Sequence, residues 1–167
     1  MKRRLFLLLV LVFLQWVKTE AQTTPAPEGW KKVTACQFTF NLPNDMQGVP
    51  QWPVDSCLAG YENEEISIEL DYGWYSGPGG QQDWEKVYRT SSIKINGRTA
   101  ELITYVIDTD KMKTKHPLVT HIHLITHAPK KGKLRTTTSL LFTISCTEAV
   151  VQSVVKQIYE SIRFVGD

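Results

Sequence analysis

Short motifs that identify an enzyme family are missing from this sequence. It contains no G-x-S-x-G nucleophile elbow, no H-E-x-x-H zinc motif, no P-loop and no G-x-G-x-x-G dinucleotide motif. Internal repeats and low-complexity segments are missing too, which excludes solenoid and fibrous architectures. We therefore treat a catalytic role as the alternative rather than as the main hypothesis.

Long hydrophobic runs are also scarce, since only one occurs, at residues 5–14, directly after three basic residues at 2–4. A helix rises about 1.5 Å per residue, so this run covers roughly half of the ~30 Å hydrocarbon core of a bilayer. Such a pattern predicts a signal peptide over residues 1–21, with a small residue, Ala21, at the cleavage point. We expect a secreted or periplasmic protein with no stable membrane insertion after signal cleavage.

An excess of one charge sign is missing from the mature chain. Residues 1–21 hold four of the nineteen basic residues and one of the seventeen acidic ones. The remainder carries fifteen basic against sixteen acidic residues, a net charge of about −1. Nucleic-acid binders carry a strongly basic surface, so we exclude nucleic acid as a partner.

Cysteine is rare, with three residues at Cys36, Cys57 and Cys146. In an exported chain this number predicts one disulfide and one free thiol. Loop-closure entropy depends only on the logarithm of loop length, so it does not choose among the three possible pairings. We favour the bridge between Cys57 and Cys146.

Short alternating apolar runs predict antiparallel strands. They lie at residues 38–42, 66–72, 93–95, 99–107, 118–127 and 136–145. The dipeptide Asn96-Gly97, between the third and fourth runs, predicts a tight hairpin. Residues 22–35, which contain two prolines and a glycine, are expected to form an extended lead-in.

Near its end the chain changes to helical spacing, which predicts an amphipathic helix with Thr147 as its N-cap. The apolar positions of this helix are Val151, Val155, Ile158 and Ile162. A second, shorter helix fits residues 82–88. The predicted fold class is therefore α+β, an antiparallel β-sheet with a packed C-terminal amphipathic helix, forming a single domain over residues 36–167.

Three segments of the chain resemble the PsbP/Mog1-like superfamily, which includes exported DcrB-type proteins. They are FTFNLPNDM at 38–46, INGRTAELITYVI at 95–107 and IYESIRF at 158–164. The resemblance covers most of residues 36–165 and implies a sheet covered by helices with a binding or assembly role. It implies no catalytic residues. The chain departs from this family in VDSCLAGY and DYGWYSGPGG, which have no match there, and in lacking a lipid-attachment cysteine.

Three of the four histidines fall in the motif HIHLITH. On a strand His121, His123 and His127 share one face, with neighbouring imidazoles roughly 7 Å apart. Two histidines at this spacing can hold zinc, with His116 or Asp108 as a further ligand if the adjoining loop folds back. The interpretation that we favour is that the histidines line a solvated sheet face while the intervening aliphatic residues face the core.

The segment DYGWYSGPGG at 71–80 combines aromatic side chains with a glycine-rich loop. Its aromatic residues are Tyr72, Trp74 and Tyr75. On an exposed loop they would form a stacking platform for a sugar or peptide, or anchors at a protein interface, where Trp and Tyr are enriched. The alternative is that the rings cap the edge of the core and the glycines only form a turn.

Together these features predict an exported, non-catalytic binding or accessory protein of the cell envelope or extracellular space. Its partner would be a protein or cell-envelope ligand at Tyr72, Trp74 and Tyr75, and it would need no cofactor. The alternative is a small metal-dependent hydrolase with a zinc site at His121 and His123. Elemental analysis distinguishes the two, because only the hydrolase carries stoichiometric zinc.

Overall fold

A computed structural model describes residues 26–52, 55–74, 76–127, 138–150 and 152–165. Residues 1–21, the predicted signal peptide, lie outside these ranges. The described part of the chain contains ten strands and one helix. The strands are β1 (Trp30–Ala35), β2 (Phe38–Pro43), β3 (Gln47–Val49), β4 (Cys57–Glu62), β5 (Ile66–Gly73), β6 (Glu85–Ile95), β7 (Arg98–Ile107), β8 (Leu118–His127), β9 (Thr138–Cys146) and β10 (Arg163–Phe164). The helix is α1 (Gln152–Glu160).

The strands form two antiparallel sheets. The larger has seven strands in the order β3-β4-β5-β9-β8-β7-β6, and the smaller has three in the order β1-β2-β10. Strand β1, which lies within the predicted lead-in at 22–35, pairs with β2 along its whole length. The smaller sheet and α1 pack against one face of the larger sheet, here called the inner face. The opposite face is called the outer face.

The main core lies between the smaller sheet and the inner face, and a smaller buried cluster of Ile103, Tyr105 and Val119 lies on the outer face. Alternation along β2 buries Phe38, Phe40 and Leu42 completely, and the ring of Phe40 meets that of Phe142 edge-on with centroids 5.0 Å apart. Helix α1 adds Ile158, which is also fully buried. Each fully buried side chain of this size contributes about 1.5–3 kcal/mol, so the inner face supplies most of the stabilisation.

The predicted α+β class is wrong, because the structure is nearly all β. The C-terminal helix forms where it was predicted, but it has nine residues and is the one helix of the described chain. Residues 82–88 do not form the second helix, since strand β6 begins at Glu85. The proposed N-cap is also absent, because Oγ1 of Thr147 is buried without a hydrogen-bond partner in the described structure. Strands β1, β3 and β4 add sheet that the alternation pattern does not reveal.

The disulfide joins Cys36 to Cys57, and Cys146 is a buried free thiol. One bridge and one free thiol are confirmed, but the pairing of Cys57 with Cys146 is wrong. On β5, Cys57 lies opposite Tyr72 and Cys146 lies opposite Ile66. Six residues of strand separate these positions by about 20 Å, whereas a disulfide requires Cα atoms within about 7 Å.

Strands β6 and β7 form the predicted hairpin. Asn96 and Gly97 both have positive φ, 49° and 77°, as a two-residue type I′ turn requires. Near its other end, β6 contains a bulge with a register shift between Lys86 and Arg89. Val87, inside the bulge, has φ of 54°, a conformation that is strained for a β-branched residue.

The connection from β5 to β6 crosses the outer face. It leaves β5 at Gly73, which pairs with the first part of β9, and enters β6 at Glu85, opposite the end of β7. Because β6 is the far edge of the sheet, this segment passes over β9 and β8 on its way. The glycine-rich stretch therefore belongs to a strap across the sheet, which we call the β5–β6 strap.

Candidate functional site

An open cleft of about 620 Å³ lies where the two sheets are joined by the disulfide. It is formed by the β1–β2 turn, the start of β4, the end of β5 and the first residue of β9. Its lining residues are Cys36, Gln37, Asp55, Ser56, Cys57, Tyr72, Gly73, Trp74 and Thr138. The volume falls within the range of roughly 300–1,000 Å³ that is typical of small-ligand sites.

The floor of the cleft is held in place by covalent and aromatic contacts. Cys36, whose φ is 55°, turns the chain between β1 and β2 and is bonded to Cys57 at the start of β4. Beside the bridge, the ring of Tyr72 meets Phe38 edge-on with centroids 5.2 Å apart. The Tyr72 hydroxyl donates to Oε1 of Gln37 at 3.3 Å. This frame fixes the position of Gly73, the last residue of β5, and of Trp74, which follows it.

Two of the three aromatic residues predicted from the sequence line this cleft, in different roles. Tyr72 is half-buried and forms part of the floor, whereas the side chain of Trp74 is 62% exposed at the wall. The third, Tyr75, lies outside the described residues. Trp74 therefore exposes a large ring to solvent at the wall of the cleft without filling a gap in the core.

The strap beyond Trp74 is fastened to the outer face. The Ser76 hydroxyl donates to Oδ1 of Asp71 at 2.7 Å, and the Ser139 hydroxyl donates to the carbonyl of Ser76. Both serines are only 4% exposed. A Cβ at Gly77 would lie 3.7 Å from Nε2 of His123, so the strap runs against the histidine strand.

His121 lies on the outer face with both ring nitrogens engaged. Nδ1 is 2.7 Å from the Thr143 hydroxyl on β9, and Nε2 is 2.9 Å from the Tyr105 hydroxyl on β7. Burial lowers the pKa of His121 from its ordinary value of 6.5. Burial also raises the pKa of Tyr105 to about 12, assisted by Glu85. The neutral imidazole therefore links three strands, and a metal at His121 would have to displace one of these partners.

Of the other candidate metal ligands, His123, His116 and Asp108 each contact a partner other than His121. His123 faces Glu101, with Nδ1 3.9 Å from Oε2, and the side chain of His127 is outside the description, beyond a register shift in β8. Nε2 of His116 lies 3.3 Å from the carbonyl oxygen of Glu64. Oδ1 of Asp108 binds Lys86 at 2.8 Å, a contact that lowers the pKa of Asp108. Among the described residues, no three acidic, His or Cys side chains are grouped to hold a metal ion.

The polar lining of the cleft was not found by sequence reasoning. Gln37, Asp55, Ser56 and Thr138 come from separate segments of the chain, and no spacing rule links them. The one signal that pointed to this place was the aromatic content of the segment at 71–80. The lining combines an exposed indole ring with amide, carboxylate and hydroxyl groups, which can bind a partly polar ligand.

Comparison with known proteins does not assign this chain to a family. The chain matches no protein-family model and no curated protein sequence. Over the part of the chain that the structure describes, no helix has the length and hydrophobicity needed to cross a membrane. A disulfide is typical of proteins in an oxidising compartment, either extracellular or periplasmic.

Proposed function

We propose that this protein is an exported, non-catalytic binding or accessory protein that holds a protein or cell-envelope ligand in the cleft beside the Cys36–Cys57 disulfide. The observation that carries the proposal is the exposed ring of Trp74 on a braced frame. A large aromatic residue with 62% exposure does little for folding. Exposed Trp and Tyr side chains often dominate the energetics of a binding surface.

The compartment follows from two features that support each other. Residues 1–21 carry the pattern of a signal peptide, and the disulfide needs an oxidising environment to persist. We therefore propose a secreted or periplasmic location. The resemblance to the PsbP/Mog1-like superfamily stays a proposal, and a binding or assembly role accords with it.

The disulfide and the aromatic packing of Tyr72 give the cleft a prearranged shape. A site whose walls are already fixed loses less conformational entropy on binding than a flexible loop does. Trp74 follows directly on β5, and Ser76 is anchored to Asp71 and Ser139. The indole is thus presented from a segment that is held on both sides.

The proposal is tested by replacing Trp74 with alanine in the mature protein. The matched control is Trp52→Ala, since Trp52 is 87% exposed and does not line the cleft. Immobilised wild type and both variants are used to capture components of the envelope and extracellular fractions of the source cells. We expect the melting temperatures of both variants to stay within a few degrees of wild type.

The captured component should be retained by Trp52→Ala and lost by Trp74→Ala. Equal capture of this component by the two variants would show that the cleft is not the ligand site. A fall of about 3 kcal/mol in the stability of Trp74→Ala would instead make the indole a structural cap of the core.

A further inference from the structure

Strand β6 differs from the other edge strands of the fold. It is a terminal strand of the seven-stranded sheet and has eleven residues, whereas the opposite terminal strand, β3, has three. Four consecutive residues of β6, Arg89–Ser92, are exposed, so neither face of this stretch is covered. Long, uncovered edge strands are rare because they pair with other chains.

The geometry of the hairpin determines which main-chain groups point to the open edge. In a two-residue hairpin the pair that flanks the turn, here Ile95 and Arg98, is hydrogen-bonded. Such pairs alternate with pairs whose N–H and C=O groups point away from each other. Thr90, Ser92 and Lys94 belong to pairs of this second kind, so their main-chain N–H and C=O groups point to the open edge. In the described chain, no further backbone hydrogen bond reaches these three residues.

The open edge has defined limits. At one end it stops at the Asn96-Gly97 turn, and at the other it stops at the bulge that shifts the register between Lys86 and Arg89. The segment Arg89–Ile95 between them has an uninterrupted register with β7. It is long enough to pair with a strand of about seven residues, through the outward groups of three of its residues.

The charges along this segment favour one kind of partner. Its two charged side chains, Arg89 and Lys94, are both basic and exposed. Lys94 donates to the hydroxyl of Thr99 at 2.6 Å and forms no ion pair with a described residue. Arg89 and Lys94 lie on opposite faces of the strand. The same segment of a second copy contains no acidic residue and would neutralise neither of them, whereas an acidic segment offers a carboxylate to each.

A groove of about 500 Å³ on the outer face adjoins the same edge. Its outer-face lining is Thr90, Ser92, Thr99, Glu101, His123 and Ile125. Glu101, the acidic group among them, is directed to His123, one strand away from the edge. Strand addition commonly uses main-chain bonds for affinity and a neighbouring groove for alternate side chains.

We infer that the β6 edge binds an extended, acidic peptide segment by strand addition, with main-chain hydrogen bonds to Thr90, Ser92 and Lys94. This inference is independent of the cleft. The probe is a fluorescent octapeptide with the repeat Glu-Glu-Val-Val, which places carboxylates on both faces of an added strand, and the Lys-Lys-Val-Val octapeptide is its charge control. Fluorescence anisotropy should show saturable binding of the acidic peptide to wild type, weakened by salt, and at least about tenfold weaker binding of the basic one.

Two changes separate charge from main-chain recognition. The double variant Arg89→Glu/Lys94→Glu should bind the acidic peptide at least about tenfold more weakly and should prefer the basic one. Ser92→Pro removes an outward N–H without removing a β6–β7 hydrogen bond, and should also weaken binding about tenfold. If Ser92→Pro does not fold, the main-chain contacts are tested from the peptide side. Two versions of the acidic peptide are made, methylated on either the odd or the even backbone nitrogens. One of the two versions should fail to bind wild type, because its methyl groups replace the N–H groups that face β6.

Three results would overturn the inference. Wild type that does not bind the acidic peptide has no such edge site. Equal binding of acidic and basic peptides would remove the assigned partner chemistry. A dimer of the peptide-free protein in sedimentation analysis, dissociated by Arg89→Glu/Lys94→Glu, would assign the edge to a second copy of the chain.

Discussion

The covered half of the seven-stranded sheet (β5, β9 and β8) and its β6 margin (Glu85–Ile95) have opposite surroundings. On the covered half, Ile68, Phe142 and Ile122 are at most 1% exposed, because the smaller sheet and α1 lie over them. On the β6 margin, Ile95 alone is buried. The difference indicates that stability is concentrated in the covered half, while most side chains of the β6 margin stay exposed to solvent.

A substitution in the covered half should cause the greatest loss of stability. Ile158→Asp places a carboxylate at a fully buried position of α1, where it has no partner. We expect a loss of about 4 kcal/mol or more, or failure to fold. Urea unfolding measures it, with Gln157→Asp as the control, since Gln157 is exposed on the same helix. Similar losses in both variants would mean that α1 does not cover the inner face.

The next effect is at the disulfide end. Cys57→Ser removes the bridge that closes a loop of sequence separation 21, and should lower stability by about 3 kcal/mol. Cys146→Ser leaves the bridge intact and buries a hydroxyl in place of a thiol, with an expected loss of about 1–2 kcal/mol. Non-reducing peptide mapping should identify Cys36 bonded to Cys57 in wild type and in Cys146→Ser. A bridge that contains Cys146 would contradict this assignment.

A smaller effect is expected on the outer face, from His121. Because its pKa is lowered by burial, the unfolded chain binds a proton more readily than the folded protein does. The contribution of neutral His121 to the free energy of unfolding is therefore complete above about pH 6.5. It is lost as the pH falls from there through the lowered pKa of His121. Urea unfolding between about pH 7.5 and pH 5 should show a steeper loss for wild type than for His121→Gln. Parallel curves would exclude this role.

The smallest effect is in the bulge of the β6 margin. Val87→Gly removes the strain of a β-branched residue at φ of 54°, which raises stability. Glycine is also more flexible in the unfolded chain, which lowers stability and offsets part of this gain. We expect a gain of up to about 1 kcal/mol. Ser91→Gly, on ordinary strand backbone of the same margin, should instead lower stability by about 0.5–1 kcal/mol. A loss in both variants would mean that Val87 is not strained.

Local patterns in the sequence were enough to locate much of the sheet. The strands at 38–42, 66–72 and 118–127, the Asn96-Gly97 hairpin and the closing helix all form, because alternation, turn chemistry and helical spacing act over a few residues. Residues 85–92 of strand β6 escaped prediction, because these mostly exposed, polar residues do not alternate and the bulge interrupts the period. The fold class was therefore predicted with too much helix.

Features that depend on register could not be predicted. The disulfide partner of Cys57 is decided by which residues lie opposite one another across β4, β5 and β9. The cleft likewise gathers Gln37, Asp55 and Thr138 from distant segments. Trp74 was found because its residue type is itself the signal, whereas its polar neighbours are common residues in unremarkable positions.

Amide hydrogen exchange of the peptide-free protein tests most directly the claim that the β6 margin is open while the covered half supports the fold. We expect the slowest exchange in β5, β8 and β9, intermediate protection at Ser91 and Ile93, and rapid exchange at Thr90, Ser92 and Lys94. Protection of those last three amides comparable to that of β9 would contradict it, because the edge would then already be covered in the free protein.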